Sequence, residues 1–278
     1  MKTAKLTHTT MAYVDVGEGV PVLLVHGFPL DHTMWNPQIE ALARHARVIA
    51  PDLRGFGSST LTSSDPQQIV TMENHADDLD ELLDAIGIRE PIVLAGLSMG
   101  GYVAWQFVRR HGHRLRALAL LDTRAKADTD EARAGRIKLA DSVLKDGARV
   151  AANAMEPKLF RKAVFQQQPE VVAAIRATME RQQPAAIAAA LRGMAARPDV
   201  TDMLPHITVP TLVLCGVDDA ISTPEEMKGI ADAIPGAEYV IVQDSGHMTT
   251  VENPAATSAA LLKFVNAAKL PYDRLAIE

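Results

Sequence analysis

A single cysteine, Cys215, stands in 278 residues, which excludes an internal disulfide framework and any cysteine-rich zinc site. Aromatic residues make up only 4% of the chain, too few for a site built on extended aromatic stacking. No apolar run reaches the roughly 18 residues of a membrane span, and Met1-Lys2-Thr3-Ala4-Lys5 is not followed by the apolar core of a signal peptide. Basic charge is not in excess either: 28 Lys and Arg against 34 Asp and Glu leave a net charge of −6. A nucleic-acid partner would want a basic face, so that class is excluded together with a membrane partner. The reading is of a cytoplasmic protein. What the chain does have, 47% hydrophobic and 22% charged residues, is the balance of a folded globular protein.

Short apolar runs alternate with amphipathic segments. Residues 20–25 (Val-Pro-Val-Leu-Leu-Val) are continuous and rich in β-branched side chains, as in a strand buried on both faces. Similar runs lie at 47–50, 91–95, 115–121, 211–215 and 239–242, and 9–16 reads as an earlier strand, expected antiparallel at the sheet edge. Between them, Met72, Ala76, Leu79, Leu83 and Ile86 share one helical face, with Gly87 placed to end the helix. Asp77, Asp78, Asp80, Glu81 and Asp84 fall on its other face and are expected to be solvated. Asn36-Pro37, Thr223-Pro224 and Asn253-Pro254 pair a capping residue with proline, a helix-start signal. This alternation predicts a mostly parallel sheet with helices on both faces. From about 124 to 205 no strand is legible, and Ala, Gln, Arg and Met dominate: a helical insertion.

The chemistry centres on Gly96-Leu97-Ser98-Met99-Gly100-Gly101, between a buried strand and the helix-like 102–110. G-x-S-x-G in that setting is a nucleophile elbow, whose tight turn forces strained backbone on the serine while the glycines leave room for it. Serine alone is a poor nucleophile and needs a base and an orienting acid. Of nine histidines, His247 is the candidate base, because Asp244-Ser245-Gly246-His247 lies beyond a strand's C-terminal end, where ligands collect in open α/β sheets. His8, His45, His75, His111 and His113 read as surface residues, and His26 as a structural residue holding its loop. For the acid, Asp218 and Asp219 follow the strand at 211–215 and Asp122 follows 115–121, and pattern alone does not choose among them. An oxyanion needs fixed N–H donors. One is expected from Met99 and one from Phe28 in His26-Gly27-Phe28-Pro29, where Gly27 allows close approach, making Gly27, Phe28 and Met99 the substrate-binding set. No ligand-spaced metal set such as H-E-x-x-H occurs, and the scheme requires no cofactor.

These pieces, with Asp52-Leu53-Arg54-Gly55-Phe56-Gly57-Ser58-Ser59, Gly216–Asp219 and Gly246-His247 followed by Glu252-Asn253-Pro254, resemble the α/β-hydrolase superfamily over nearly the whole chain. Within it, Leu121-Asp122-Thr123-Arg124 and residues 218–227 are similar to the bacterial carboxylesterase and 3-oxoadipate enol-lactonase branch. The resemblance implies an α/β-hydrolase fold: a twisted, mostly parallel sheet of about eight strands with helices on both faces. It implies a core of 1–123 and 206–278 with a helical cap at 124–205, and it selects Asp219, the third residue after the strand-ending glycine, as the acid. Dehalogenases and many epoxide hydrolases carry aspartate at the elbow, so Ser98 separates this chain from them.

The implied activity is hydrolysis of small carboxylic esters through an acyl-enzyme on Ser98, in a monomer or small homo-oligomer. Alternatives are an enol-lactonase or other lactonase, a cofactor-free perhydrolase (Pro29 follows Phe28 as it does there), or a small-ligand receptor with slow turnover. Met155, Leu159, Phe160, Met179 and Met194 are apolar candidates for the pocket, with core packing the expected fate of each. Arg124, Arg133, Arg136 and Arg161 are candidates for a substrate carboxylate, with a solvated surface role expected instead.

Overall fold

The computed structural model describes residues 1–63, 65 and 67–268; the last ten positions assigned to the core, 269–278, lie outside the described residues. Strands β1 (Lys2–Lys5), β2 (Thr10–Val16), β3 (Pro21–Val25) and β4 (Arg47–Pro51) come first, with helix α1 (Asn36–Leu42) between the last two. Helix α2 (Met72–Ala85), β5 (Ile92–Leu97), α3 (Met99–His111) and β6 (Leu115–Leu121) follow. Then come α4 (Asp130–Asp146), α5 (Arg149–Leu159), α6 (Val164–Gln167), α7 (Pro169–Glu180) and α8 (Pro184–Ala195), with no strand among them. Strand β7 (Thr211–Gly216), α9 (Pro224–Ala233), β8 (Glu238–Val242), α10 (Thr249–Glu252) and α11 (Pro254–Ala268) complete the described chain.

The eight strands form one sheet in the order β1-β2-β4-β3-β5-β6-β7-β8. Pairing is parallel from β4 through β8 and antiparallel at β1/β2 and β2/β4. The strand expected at the sheet edge is therefore second from it. The edge is β1, whose Lys-Thr-Ala-Lys stays largely exposed and so lacks the apolar signature of a strand. The central runs are continuous because both faces are covered. Leu23, Val25 and Leu94 pack with α2 and α3, while Val22, Leu24, Val93 and Ala95 pack with α1 and α11.

Helix α2 buries Met72, Ala76, Leu79 and Leu83 as its spacing predicts, and Gly87 follows it at φ +75°. Its outer face departs from expectation in two places. Asp78 is buried against Arg54, whose Nε donates to Asp78 Oδ2 at 2.7 Å. His75 is fully buried rather than solvated, and neither ring nitrogen has a hydrogen-bond partner. His111 is half-buried, its Nε2 2.8 Å from Asp77 Oδ1.

In the helical stretch, α8 is buried from Ala186 through Ala195 and packs on α4. It also lies directly on the core: Val70 N–H donates to Ala189 O at 3.2 Å, and a Cβ at Gly193 would fall 1.9 Å from Val70 O. No described helix is long and apolar enough to cross a membrane.

Candidate active site

Strand β3 has β4 on one side and β5 on the other, so the loops leaving β3 and β5 diverge at one point of the sheet's C-terminal edge. In open α/β sheets ligands bind at such a switch point. Ser98 sits there, at φ +55° and ψ −114°, in the turn from β5 into α3. This strained conformation costs of order 1–3 kcal/mol and must be enforced by its surroundings. The Ser98 N–H donates to Leu121 O at 3.0 Å, and the Thr123 hydroxyl donates to Ser98 O at 2.8 Å, so β6 holds the turn from below. The flanking glycines are obligatory in space: a Cβ at Gly96 would meet Gly100 O at 2.3 Å, and one at Gly100 would meet Val25 O at 2.2 Å.

The loop after β3 runs beside this turn, with Gly27 so near that an added Cβ would lie 3.4 Å from Ser98 Cβ. His26 holds the loop in place. Its Nδ1–H donates to Gly27 O and its Nε2 accepts the Leu53 N–H, each at 2.9 Å. Both nitrogens are thus engaged, and burial pushes the imidazole pKa down, which keeps the ring neutral. The Phe28–Pro29 peptide bond is cis. Met99 opens α3, where an N–H has no preceding turn to accept it. The Phe28 N–H makes no hydrogen bond among the described residues. The Phe28 and Met99 N–H groups, in the two loops that meet at Ser98, are therefore uncommitted, as donors to an oxyanion must be.

His247 follows β8 on a loop that Asp244 opens at φ +55°. It is 1% exposed, and its Nδ1 lies 2.8 Å from Asp219 Oδ2. Asp219 Oδ1 accepts the Ile221 and Ser222 N–H groups at 2.7 and 3.0 Å, so the carboxylate is fixed from its own loop. With Nδ1–H given to Asp219, the neutral ring carries its lone pair on Nε2, and that nitrogen is buried without a hydrogen-bond partner. Such an imidazole is oriented to take a proton.

The two other acids are placed elsewhere. Asp218 is exposed and lines an outer cavity of about 400 Å³ with Lys158, Arg161 and Lys162. Asp122 is fully buried at φ +46°, accepts the Gly216 N–H at 2.9 Å and lies 2.5 Å from Thr249 Oγ1. Burial, with Asp219 nearby, pushes its pKa well up, and its two hydrogen bonds tie the end of β6 to β7 and to the start of α10. Cys215 is buried beside it and its thiol pKa is pushed up by that burial.

Two clusters bring metal-type ligands together, Asp31-His32-Asp52 and Asp122-Cys215-Asp219. In the first, His32 lies 2.6 Å from Asp52, and Arg181 donates to Asp31 at 2.6 Å. The carboxylates of both clusters are already engaged by hydrogen bonds from the chain itself.

The apolar candidates of the helical stretch are packed: Leu159, Phe160, Met179 and Met194 are buried, and Met155 lies against both core clusters. All four arginines have carboxylate partners: Arg124 with Glu226 at 2.7 Å, Arg136 with Asp128 at 2.5 Å, Arg161 with Asp244 at 3.0 Å and Arg133 with Asp130 at 3.5 Å. Thr123 and Thr249 were not singled out in the sequence; Thr123 stands in the Leu121–Arg124 stretch that carries the family resemblance, and Thr249 follows His247 by two residues.

Comparison with known proteins agrees with this architecture. Residues 20–254 match the family described as the alpha/beta hydrolase fold. The AB hydrolase superfamily protein YisY of Bacillus subtilis is 30% identical over 271 residues, covering 93% of this chain and 96% of its own. A thermophilic esterase from Thermogutta terrifontis, solved with malate bound, is 43% identical with a TM-score of 0.94, covering 97% of this chain and all of that one. The enol-lactonase from Burkholderia xenovorans LB400 is 29% identical with a TM-score of 0.87, covering 95% and 100%. The chain belongs to the alpha/beta hydrolase fold family, in its carboxylesterase and enol-lactonase-like branch.

Proposed function

We propose that the protein is a serine esterase that cleaves small carboxylic esters. The observation that carries this reading is the strained Ser98 at the elbow, near two free backbone donors, together with a buried His247–Asp219 pair whose Nε2 is unpartnered. Ser98 Oγ attacks the ester carbonyl as His247 Nε2 takes its proton, and Asp219 holds the imidazole and stabilises its charge. The carbonyl oxygen becomes an oxyanion between the Phe28 and Met99 N–H groups, each worth roughly 3–4 kcal/mol in the transition state. His247 returns the proton to the departing alcohol, leaving an acyl-enzyme. Water, activated by the same imidazole, then releases the carboxylic acid and restores Ser98. In this reading 1–123 and 206–268 form the catalytic core, and α4–α8 cap it.

The esterase of 43% identity supports ester substrates in first place. The enol-lactonase at 29% supports a second reading, in which the leaving alcohol stays tethered to the acyl group. A panel of p-nitrophenyl esters and lactones, each run with wild type and Ser98→Ala, tests both. Turnover of esters abolished by Ser98→Ala is expected. Efficient turnover confined to lactones would replace the first reading with the second, and turnover surviving Ser98→Ala would remove both.

A further inference from the structure

Glu252 takes no part in the scheme above, yet its carboxylate is hydrogen-bonded to the histidine loop on both sides of His247. It ends α10, five residues after His247, and is 3% exposed. Its carboxylate gathers three backbone N–H groups. Oε1 accepts those of Gly246 and Met248, each at 3.0 Å, and Oε2 accepts that of Arg161 at 3.0 Å. The first two amides flank His247 on either side, and the third belongs to the turn between α5 and α6. The His247 N–H is itself donated to Leu159 O, the last residue of α5, at 3.0 Å. Three consecutive amides of the histidine loop are therefore held, the outer two by Glu252 and the central one by α5.

The contact between loop and helical insertion is backbone on backbone. A Cβ at Gly246 would lie 2.7 Å from Arg161 N and 3.2 Å from Glu252 Oε1, so no side chain fits between them. Gln168 Nε2 adds a donor to the Glu252 carbonyl at 3.2 Å. A buried carboxylate is costly unless its lone pairs are used. Burial pushes the Glu252 pKa up while the three amides favour its ionised form. An apolar side chain would avoid that cost but would orphan the three N–H groups and free the loop.

We propose that Glu252 is a positioning residue for His247: it clamps the two amides beside the histidine and ties them to the α5–α6 turn, so that the helical insertion sets where the imidazole stands. The proposal rests on the reading of His247 as the base. It requires both carboxylate oxygens to accept. Glutamine keeps the size but offers one oxygen and an NH₂ that would face an N–H, so Glu252→Gln releases either the histidine loop or the insertion. Aspartate keeps the charge on a stem one methylene shorter.

The test compares wild type, Glu252→Gln and Glu252→Asp with p-nitrophenyl acetate, with circular dichroism and thermal unfolding confirming the fold. A small displacement of a catalytic group costs about tenfold to hundredfold in rate. The expected result is that kcat falls by that factor in Glu252→Gln while KM stays within twofold, with part of kcat recovered in Glu252→Asp. Labelling of Ser98 by a fluorophosphonate, which also needs the base, should slow in parallel. An unchanged kcat, or a rise in KM alone, would overturn the proposal, and failure of both variants to fold would reassign Glu252 to a purely structural part. Wild type that takes no label at Ser98 would sink the underlying reading, and the proposal with it.

Discussion

Asp218 and Asp219 are neighbours in the chain and opposite in surroundings. Asp219 is buried on His247 Nδ1, whereas Asp218 faces the outer cavity, and the strand-ending Gly216 sets which of them turns inward. Residue pattern alone left three acids open because adjacent carboxylates read alike; only the spacing shared with related chains singled one out. Asp219→Asn should lower kcat by about 10³–10⁴, since the histidine loses its orientation and tautomer, while Asp218→Asn should stay near wild type. Steady-state kinetics of the two variants and of Asp122→Asn decide the assignment, and a dominant loss at Asp122 or Asp218 would move it. His75 is a second residue that sequence reading misplaced: a helical position beside acids reads as solvated, but its ring turns into the core. Burial, with the Arg54 charge adding to it, lowers its pKa from 6.5 to about 3. The unfolded chain therefore binds a proton below pH 6.5 that the folded state refuses until about pH 3. Stability from this source is complete above pH 6.5 and falls as pH drops through that window, by about 1.4 kcal/mol per pH unit. Buried His26, also lowered, contributes with the same sign. Urea unfolding between pH 6.5 and 4 should show a shallower acid decline in His75→Leu than in wild type; equal slopes would place the ring in solvent.

At the level of elements, the strands were legible because burial on both faces leaves an unbroken apolar run, and β6 begins and ends where that run does. Strand β1 was not legible, because a polar tetrapeptide becomes a strand only through the partner beside it, Met11 opposite Ala4 and Ala12 opposite Thr3. The capping signals held at α9, where the Thr223 hydroxyl accepts the Glu226 N–H, and at α11, where Asn253 accepts the Ala256 N–H. The docking of α8 was invisible for a different reason: it depends on a glycine that meets a backbone distant in sequence. Gly193 has no side chain so that α8 can touch Val70, and an added Cβ would overlap a carbonyl that cannot swing away. Gly193→Ala is expected to cost about 1–3 kcal/mol by overpacking, lowering the melting temperature by several degrees. Differential scanning calorimetry measures this directly, and a melting temperature equal to wild type would mean that α8 rests loosely on the core.

For the molecule as a whole, the order of motifs along the chain was the most informative feature. It foretold a sheet of about eight strands and a helical stretch between β6 and β7, and both are present. What order could not convey is which face of the insertion meets the site, because packing and pocket-lining residues share one apolar vocabulary; Leu159, Phe160, Met179 and Met194 are packed in cores and Met155 lies against them. With few aromatics and an insertion tied to the histidine loop at Leu159 and Arg161, the acyl site is expected to be small. Across p-nitrophenyl esters, kcat/KM should peak at acyl chains of roughly two to six carbons; a maximum at long chains, or activation at an oil–water interface, would oppose a closed pocket. The central claim is that Ser98 is an activated nucleophile, and the most direct test is mass spectrometry of the protein after treatment with a fluorophosphonate. The account predicts one adduct, on the peptide carrying Ser98, formed in step with loss of esterase activity and absent from the folded Ser98→Ala variant. An adduct on another serine, or full inactivation with Ser98 unmodified, would contradict it.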